Sequence, residues 1–589
     1  MNPETNADEL ANSGLVPQLR MMIRALWAAP VRSTLLLLSA SLCAVIAATA
    51  YGQIRLNGWN QPFYDALSRH DFAQFLVQLG VFGSIAGALL VLNVAQRWLS
   101  ETLKLKLRLG LAHDLIQNWL QPGRAFRLAN AGAMGVNPDQ RMHEDARHLT
   151  ELSADLGVGL LQSSILLGMF VKVLWSLSND FVFHLAGRHF AIPGYMVWAA
   201  FVYSGSASLL SYWVGRSLID RNADRYAREA DMRYSLVRVN EHIDAIALSG
   251  GEADEARRIE LDLRAVLAAT ARLVTGLTNL TWITAGYGWF TLVAPILVAA
   301  PLYFAGNLSF GGLMMASGAF IQVQSSLRWF VDNFSTIADW RATLLRVASF
   351  RRAIIDTDVL HGTEKRIEFV AGDPGKISIE DLDIASTEGC TMLQERKVEI
   401  DAGERVLILG GPGNGKTLLF HALAGLWPWG SGRIVHPEGK RLHYMPRTPY
   451  LPPGTLREVL AYPSATAQFE TSAYEKALLR LDLGRLVPLL DVARRWERDL
   501  GEDDQQLLAF ARVLVHAPPW VLIDEVLDSL DEELQRRIVG ILAQDLPQAG
   551  VIHIGRAEAR ASFFPRILHL VNDPVGHGLP GGSMPLAAN

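Results

Sequence analysis

Long apolar runs alternate with charged, helix-forming stretches through the first part of the chain, up to about residue 335. A helix needs about 20 mostly apolar residues to cross the hydrocarbon core of a bilayer. Five runs satisfy this requirement, at 34–51, 75–95, 156–177, 192–214 and 275–304. A sixth run, 310–331, is more polar but follows the fifth after a short turn. We therefore predict six membrane-spanning helices, with an amphipathic interfacial helix as the alternative for the sixth.

Arginine and lysine residues are concentrated after the second and the fourth predicted spans. Because positive residues are retained on the cytoplasmic side, this asymmetry predicts a multi-pass protein of the cytoplasmic membrane with both termini in the cytoplasm. The composition agrees, since 50% of the 589 residues are hydrophobic and 19% are charged. A net charge of −5 gives no indication of a nucleic-acid partner, so the lipid bilayer is the partner that the composition favours.

The two connections on the predicted cytoplasmic side, 96–155 and 215–272, are rich in helix formers and too long for plain turns. We predict that they continue the spans as helices. Spans and connections together form a membrane domain predicted at 16–351, preceded by a disordered segment at 1–15.

Within the second connection, the sequence NEHIDAIALSGGEADE at 240–255 predicts a helix, a break at its two glycines, and a further charged helix. Asn240, Asp244 and Leu248 are spaced to share one helical face. Such a segment suits an element that presses on another domain. The alternative is a charged helix that is simply solvated.

After Arg351 the composition changes to short apolar strands, glycine-rich turns and amphipathic helices. This pattern is typical of a soluble α/β domain. We predict a linker at 352–372, a nucleotide-binding domain at 373–575 and a disordered tail at 576–589.

A glycine-rich loop follows the buried strand at 405–409 and precedes a helix. This order of strand, loop and helix is the context of a phosphate-binding loop. The backbone N–H groups of such a loop surround phosphates, its lysine neutralises their charge, and its threonine hydroxyl binds Mg²⁺. The sequence therefore predicts ATP and Mg²⁺ as ligands. Thr417 is predicted to bind Mg²⁺. The residues predicted to bind the nucleotide are Gly410, Gly411, Pro412, Gly413, Asn414, Gly415, Lys416 and Thr417.

A second buried strand, WVLIDE at 520–525, ends in two carboxylates. Asp524 is predicted to hold Mg²⁺ through a water molecule, beside the direct ligand Thr417. Glu525 is predicted to act as the catalytic base that polarises the attacking water.

Several segments carry a family resemblance. DSLD at 528–531 is similar to the D-loop of ABC transporters. In the membrane half, the segments at 56–67, 137–145, 240–255 and 339–350 resemble those of the SbmA/BacA-like proteins and the peroxisomal fatty-acyl ABC transporters of subfamily D.

The resemblance implies a multi-domain fold, in which a six-span, exporter-type α-helical membrane domain precedes an α/β P-loop nucleotide-binding domain. It also implies a dimer with two ATP molecules between the nucleotide-binding domains. Asn240, Asp244 and Glu255 would then belong to the element that couples the two domains. The dimer is expected to be a homodimer, or a heterodimer with a half-transporter of consensus sequence.

The segment that aligns with the family's signature motif is degenerate. Gly501 replaces the usual serine, Glu502 follows it, and Asp503 stands where a glycine is usual. A carboxylate beside a triphosphate is repulsive, which would weaken closure of the dimer. Alternatively, the acidic residues serve the start of a helix, since Asp503 and Gln506 have capping-box spacing.

Two further positions depart from the family. Arg447 replaces the Q-loop glutamine and Arg556 replaces the H-loop histidine. Arginine cannot accept a hydrogen bond or share a proton near neutral pH. Both arginines could instead offset the charge of Asp503 or hold the γ-phosphate.

Three functions are consistent with the sequence. The first is an ATP-driven transporter that moves a hydrophobic or amphipathic solute across the cytoplasmic membrane. The second is a proton-driven carrier with a degenerate, regulatory nucleotide-binding domain. The third is a scaffold or sensor that does not transport.

Overall fold

The computed structural model describes residues 15–28, 30–129, 138–179, 182–185, 188–356, 366–386, 389–438, 442–556 and 563–573. These residues divide into two compact units. The helical unit contains the described residues up to 351 except 118–129, and the sheet unit contains 118–129 and those from 352 onward. The segments predicted to be disordered, 1–15 and 576–589, lie outside the described residues except for Leu15, which begins the first helix.

Helices, most of them long, form the greater part of the described chain before residue 357. They are α1 (Leu15–Ala28), α2 (Arg32–Ser68), α3 (Phe72–Trp119), α4 (Arg124–Ala129), α5 (Pro138–Ser178), α6 (Tyr195–Glu241), α7 (Ile243–Ser249), α8 (Glu252–Phe304), α9 (Phe310–Asp332) and α10 (Phe334–Asp356). A hairpin of β1 (Val182–Leu185) and β2 (Arg188–Ala191) lies between α5 and α6. A π-helical turn interrupts α5 at Arg141–Asp145.

Within the described residues, four helices are long and apolar enough to cross a membrane, namely α2, α3, α5 and α8. The two other predicted spans, 192–214 and 310–331, fall largely in α6 and α9, which are continuous helices of 47 and 23 residues. Helices α3 and α8 contain 48 and 53 residues. At 1.5 Å per residue they are about 70–80 Å long, against roughly 30 Å of hydrocarbon. The described parts of the connections 96–155 and 215–272 are thus largely helical, as predicted.

Helix α9 packs against α2, α5, α6 and α8. Ala319, Phe320 and Val323 on α9 are each no more than 2% exposed. The side chain of Gln324 is buried as well and donates a hydrogen bond to Thr291 Oγ1 at 3.1 Å. This burial shows that α9 packs inside the helical unit, while its crossing of the membrane stays a prediction. Helix α9 is the bundle-facing helix that its mixed polarity indicated.

The start of α9 is fixed by α2. Ser309 Oγ donates to Asp65 Oδ2 at 3.0 Å, and the Gly311 backbone N–H donates to Asp65 Oδ1 at 2.8 Å. A Cβ atom at Gly311 would lie 2.0 Å from the Gln61 carbonyl oxygen, so this close approach requires glycine. Gln61 and Asp65 both belong to the segment 56–67, whose role is therefore to dock α2 onto α9.

A buried carboxylate connects two other segments that carry the family resemblance, 137–145 and 339–350. Arg141 Nη1 donates to Asp145 Oδ2 at 2.6 Å, and Arg346 Nη2 donates to Asp145 Oδ1 at 3.1 Å. Burial alone would raise the pKa of Asp145, but the hydrogen bonds from Arg346 and Arg141 outweigh burial and lower it. Helix α10 is therefore held on the first turns of α5 by charge pairing.

We predict that Arg346→Met destabilises the helical unit, because the buried Asp145 carboxylate then retains only Arg141. The expected loss is about 1–3 kcal/mol in the free energy of unfolding. A lower melting temperature of the purified protein in detergent would show it. Combining Asp145→Asn with Arg346→Met removes the carboxylate charge that has lost Arg346 as a partner. The double variant should therefore have a higher melting temperature than the single variant Arg346→Met. Equal melting temperatures of Arg346→Met and the wild type would contradict this role for Asp145.

The sheet unit contains one large sheet, a two-stranded sheet of β10 and β11, and seven α-helices after α10 in its described part. Its strands are β3 (Glu368–Gly372), β4 (Lys376–Ser386), β5 (Gly389–Leu393), β6 (Lys397–Asp401), β7 (Arg405–Gly410), β8 (Gly430–Pro437), β9 (Leu442–Met445), β10 (Gly454–Thr455), β11 (Ala493–Arg494), β12 (Trp520–Asp524), β13 (Gly550–Gly555) and β14 (Arg566–Asp573). Its helices are α11 (Lys416–Leu423), α12 (Leu456–Ala461), α13 (Thr471–Arg480), α14 (Trp496–Asp499), α15 (Glu502–His516), α16 (Val526–Ser529) and α17 (Glu532–Asp545).

The large sheet has the strand order β3-β8-β4-β5-β14-β7-β13-β12-β9, with β6 paired to β4. Strands β14, β7, β13, β12 and β9 are parallel to their neighbours in this series. The carboxyl ends of β7, β12 and β13 therefore meet at one edge of the sheet. The predicted linker, 352–372, is shorter in the structure, because α10 continues to Asp356 and β3 begins at Glu368.

Candidate nucleotide-binding site

The predicted phosphate-binding loop joins β7 to α11. Gly413 and Gly415 have φ angles of +80° and +73°, in the left-handed region that favours glycine. A Cβ atom at Gly415 would also lie 2.1 Å from Thr391 Oγ1. The glycine spacing thus produces a tight turn that leads directly into α11.

The side chain of Lys416 folds back inside this loop and is 7% exposed. Its Nζ donates to the carbonyl oxygens of Gly410 at 2.8 Å and Gly411 at 3.1 Å. Asn414 Nδ2 donates to the Leu570 carbonyl oxygen at 3.0 Å, which ties the loop to β14. A buried ammonium inside a loop of backbone N–H groups is a suitable site for the phosphates of a nucleotide.

Thr417 lies beside Asp524 at the start of α11, close enough for its hydroxyl to favour the ionised carboxylate. Burial, together with the nearby charge of Glu525, raises the pKa of Asp524 to about 6. Asp524 Oδ1 is buried and has no hydrogen-bond partner among the described residues. This orphan oxygen beside a hydroxyl fits Mg²⁺, which takes one or two protein oxygens and completes its shell with water and phosphate oxygens.

Three cations surround Glu525. Lys416 Nζ is 3.0 Å from Oε1, and Arg447 Nη1 is 3.8 Å from Oε2. Arg556 is bidentate, since its Nε donates to Oε1 at 2.9 Å and its Nη2 donates to Oε2 at 3.3 Å. Burial would raise the pKa of Glu525, but the hydrogen bonds from Arg556 and Lys416 outweigh burial and lower it. The predicted catalytic base is thus a charge-paired carboxylate.

Arg556 is held in place by Asp528, whose Oδ2 accepts the Arg556 backbone N–H at 2.8 Å. The fully buried His553 lies 3.5 Å from the other oxygen of Asp528. Glu525 is fixed from its own backbone, because its N–H donates to the Ile554 carbonyl oxygen at 2.9 Å. Both residues of the ion pair, Arg556 and Glu525, are therefore held in place by hydrogen bonds from their own backbone N–H groups.

Two family models match the chain. Residues 22–304 match the ABC transporter transmembrane region 2, and residues 393–528 match the ABC transporter family. The chain is an ABC transporter with fused membrane and ATP-binding domains. The second match contains both the loop 410–417 and the acidic pair at the end of β12.

Relatives of this ABC transporter have the same arrangement over most of their length. The inner membrane ABC transporter ATP-binding protein YddA of Escherichia coli (strain K12) is 25% identical, over 92% of this chain and 95% of the relative. The chloroplastic ABC transporter D family member 2 of Arabidopsis thaliana is 26% identical, over 90% and 82%. The predicted relation to subfamily D is thereby confirmed.

A solved bacterial Atm1-family ABC exporter with ATP bound has the same fold, with a TM-score of 0.69 and 16% identity over 92% of this chain and 94% of that one. The predicted fold class is confirmed as a helical membrane domain followed by a nucleotide-binding domain. The number of spans stays a prediction.

The signature segment of this ABC transporter begins α15. Gly501 is the N-cap residue and makes no side-chain capping bond, and Glu502 and Asp503 are exposed. Gln506 Nε2 instead donates to Ser529 Oγ at 3.1 Å. The predicted capping box between Asp503 and Gln506 is therefore wrong, because the helix begins two residues earlier than that motif requires.

Both arginines that replace family residues have Glu525 as a partner. That either arginine offsets Asp503 or holds the γ-phosphate stays a prediction. The contact between Arg556 and Glu525 arises because β12 and β13 are neighbours in the sheet, with Asp524 paired to Ile554. The residues that follow the two strands, Glu525 and Arg556, are consequently adjacent although 31 positions separate them.

The predicted coupling segment, 240–255, forms a helix, a break and a second helix. Helix α7 ends at Gly250, which has a left-handed φ of +63°, and α8 begins at Glu252. A further break occurs at His242, between α6 and α7. The pattern of glycines predicted the first break, whereas no glycine or proline marks the second.

The break at His242 places Asn240 on α6 and Asp244 on α7. Asp244 and Leu248 lie four residues apart on α7 and share one face, as predicted, whereas the prediction is wrong for Asn240. Asn240 and Asp244 are exposed, and Leu248 is 90% exposed. Glu255, on α8, lies 4.0 Å from Arg258.

A second candidate coupling element, α4, was not predicted. It clusters with the sheet unit, and the ring of Phe126 packs against His421 of α11 with 4.8 Å between the ring centroids. Leu128 is 1% exposed, and burial lowers the pKa of His421. The sequence signal is two apolar residues within the basic stretch RAFRLA, between two long helices. Helix α4 therefore contacts the helix that begins at Lys416.

We predict that Mg²⁺-dependent ATP binding weakens as the pH falls through about 6. The raised pKa leaves Asp524 protonated below this pH and ionised above it, and a metal ligand must be deprotonated. The affinity should approach a loss of roughly tenfold per pH unit below that value. Titration of a fluorescent ATP analogue with Mg²⁺ at pH 5 to 8 measures this. Asp524→Asn is the control, since it retains only the pH dependence of the nucleotide. Identical pH profiles for the variant and the wild type would refute the role of Asp524.

Proposed function

We propose that this exporter-like ABC half-transporter hydrolyses ATP with Mg²⁺ and uses it to move a hydrophobic or amphipathic solute across the cytoplasmic membrane. One observation carries the proposal. A chain with a long apolar helical unit also contains a phosphate-binding loop whose Lys416 and Thr417 lie beside Asp524 and Glu525. The Escherichia coli relative is named an inner membrane ABC transporter protein, which supports the cytoplasmic membrane as the location of the present chain. The family models and relatives give no support to a proton-driven carrier.

The working assembly is proposed to be a homodimer with six spans per chain and both termini in the cytoplasm. A single chain supplies one helical unit and one sheet unit, so two chains are needed for two of each. The exposed start of α15, at Gly501 to Asp503, would face the phosphate-binding loop of the other chain. A homodimer places the degenerate signature in both sites, whereas a heterodimer with a consensus partner has it in one.

Each residue of the site has a proposed role. Lys416 and the loop from Gly410 to Gly415 bind the phosphates, and Thr417 and Asp524 hold Mg²⁺. When bound, Mg²⁺ supplies positive charge that neutralises the phosphate oxygens. Glu525 orients a water molecule and accepts its proton. Asn240, Asp244 and Glu255 are proposed to transmit the change to the membrane helices, together with Phe126.

Slow hydrolysis is proposed as a consequence of the arginine substitutions. A general base works best when its pKa lies near the operating pH. The contacts of Glu525 with Arg556 and Lys416 lower its pKa below the usual value, which makes it a weaker base. The consensus of the family has a histidine and a glutamine at the positions of Arg556 and Arg447, so a chain with the consensus residues lacks this restraint.

We predict that Arg556→His raises the ATPase rate, by roughly three- to tenfold, because the catalytic glutamate becomes a stronger base. The rate of phosphate release by the purified protein in lipid nanodiscs measures the effect. Arg536→His is the matched control, since Arg536 is an exposed arginine that bonds only to a carbonyl of its own helix among the contacts described. Glu525→Gln combined with Arg556→His should be inactive. A decrease with Arg556→His would instead show that Arg556 stabilises the transition state.

Transport should stop when hydrolysis stops. In proteoliposomes loaded with ATP, Lys416→Ala should abolish nucleotide binding and flux of fluorescent amphipathic solutes. Glu525→Gln should retain binding and lose flux. Flux that persists in both variants and collapses only with a protonophore would rule out an ATP-driven transporter.

A further inference from the structure

An apolar cavity with a volume of 470 Å³ lies beside α1 in the helical unit. Its walls come from α1, α3, α5, α9 and α10. Lining residues include Leu19, Met22, Leu111, Leu160, Trp329 and Leu344. The volume lies within the roughly 300–1,000 Å³ that is typical of sites for small ligands.

Three polar side chains in the cavity wall, Ser153, Thr150 and Trp340, form hydrogen bonds with other groups of the protein. Trp340 Nε1 donates to Ser153 Oγ at 2.9 Å, and Ser153 Oγ donates to the Leu149 carbonyl oxygen at 2.6 Å. Thr150 Oγ1 donates to the Arg147 carbonyl oxygen at 2.8 Å. A polar ligand would lose its hydrogen bonds to water on entering the cavity and would not gain hydrogen bonds to these side chains. The wall therefore favours an apolar chain.

Helix α1 has the character of a helix that lies in a membrane interface. Ile23 and Trp27 are 52% and 63% exposed, and Arg20 and Arg24 are exposed beside them. The helix contains no acidic residue. Exposed apolar and cationic side chains on one short helix favour contact with anionic lipid.

A second groove lies next to the cavity and shares Ile23, Leu26 and Leu107 with it. The groove is also lined by Arg32 and Ser33, at the start of α2. The cavity and the groove together therefore form an apolar space that continues to the guanidinium of Arg32 and the hydroxyl of Ser33. This order matches the acyl chain and the phosphate of a phospholipid.

We propose that the cavity binds one acyl chain of an anionic phospholipid from the cytoplasmic leaflet, with its phosphate near Arg32 and Arg24. The position agrees, since Leu156 and Leu160 lie at the cytoplasmic end of the third predicted span. The lipid is a resident component of the protein, which distinguishes it from the transported solute. By filling the cavity it holds α1 against α5 and α10.

Gly157 provides a way to fill the cavity. It lines the cavity, and a Cβ atom at this position would meet nothing within 4 Å. Gly157→Leu should therefore occupy the space of the acyl chain without a clash. Gly168→Leu is the matched control, because Gly168 is on the same helix, has the same free space around its Cβ position, and does not line the cavity.

The test is photolabelling of the full-length protein in nanodiscs by phosphatidylglycerol with a diazirine on its acyl chain. Labelled peptides should map to 149–160 and 329–344. Gly157→Leu should reduce this labelling at least fivefold, and Gly168→Leu should not. Replacing Arg24 and Arg32 by glutamine should abolish the preference for phosphatidylglycerol over phosphatidylcholine. Unchanged size-exclusion profiles and ATP binding confirm that the variants fold.

Four outcomes would overturn the proposal. The first is equal labelling of Gly157→Leu and the wild type. The second is labelling by a diazirine fatty acid but not by the phospholipid, which would indicate a free fatty acid as the ligand. The third is loss of the label when ATP and Mg²⁺ are added, which would indicate transported cargo. The fourth is cross-linking between two protomers from the cavity residues, which would indicate a second copy of the chain.

Discussion

Backbone amide and carbonyl groups in hydrocarbon have no water to bond with, so a chain crosses a membrane only if it satisfies its own hydrogen bonds. This constraint explains why the apolar runs lie almost entirely in helices. The continuation of α3 and α8 beyond roughly 30 Å of hydrocarbon follows instead from the helix formers in the connections 96–155 and 215–272. Inside the bundle, burial of apolar surface gives little specificity, because lipid tails are as apolar as leucine. The specificity of helix packing therefore depends on polar contacts, which require a strict geometry. The carboxylate of Asp65 at the start of α9 and the hydrogen bond between Gln324 and Thr291 are two of them.

In the sheet unit, charged side chains are concentrated at the carboxyl ends of β12 and β13. Glu525 has contacts with Lys416, Arg447 and Arg556 around a side chain that is 11% exposed. These cations differ in whether they can exchange their bond to Glu525 for a bond to a phosphate. Lys416 can pair with a phosphate only by giving up part of its bonds to Glu525 and to the loop carbonyls. Arg556 is anchored as well, because its backbone N–H donates to Asp528. We therefore propose that its ion pair with Glu525 persists when a phosphate occupies the loop.

Local patterns could be predicted from the sequence, and non-local ones could not. The phosphate-binding loop was predictable residue by residue, because its glycines and Lys416 act within a single strand, turn and helix. The long helices were predictable from their apolar runs. The contact between Arg556 and Glu525 depends on which strands are neighbours in the sheet, and no spacing along the chain reveals that. Helix α4 was missed because six residues are too few to show a helical period.

The position of α4 supports its proposed part in coupling. Helix α11 begins with Lys416 and also carries His421, which packs against Phe126 of α4. Only residues 120–123 separate α4 from α3, a single helix that continues into the predicted second span. Because a continuous helix resists bending, α3 is suited to carry a displacement of Phe126 along its length. The proposed coupling then needs no flexible segment beyond that short turn.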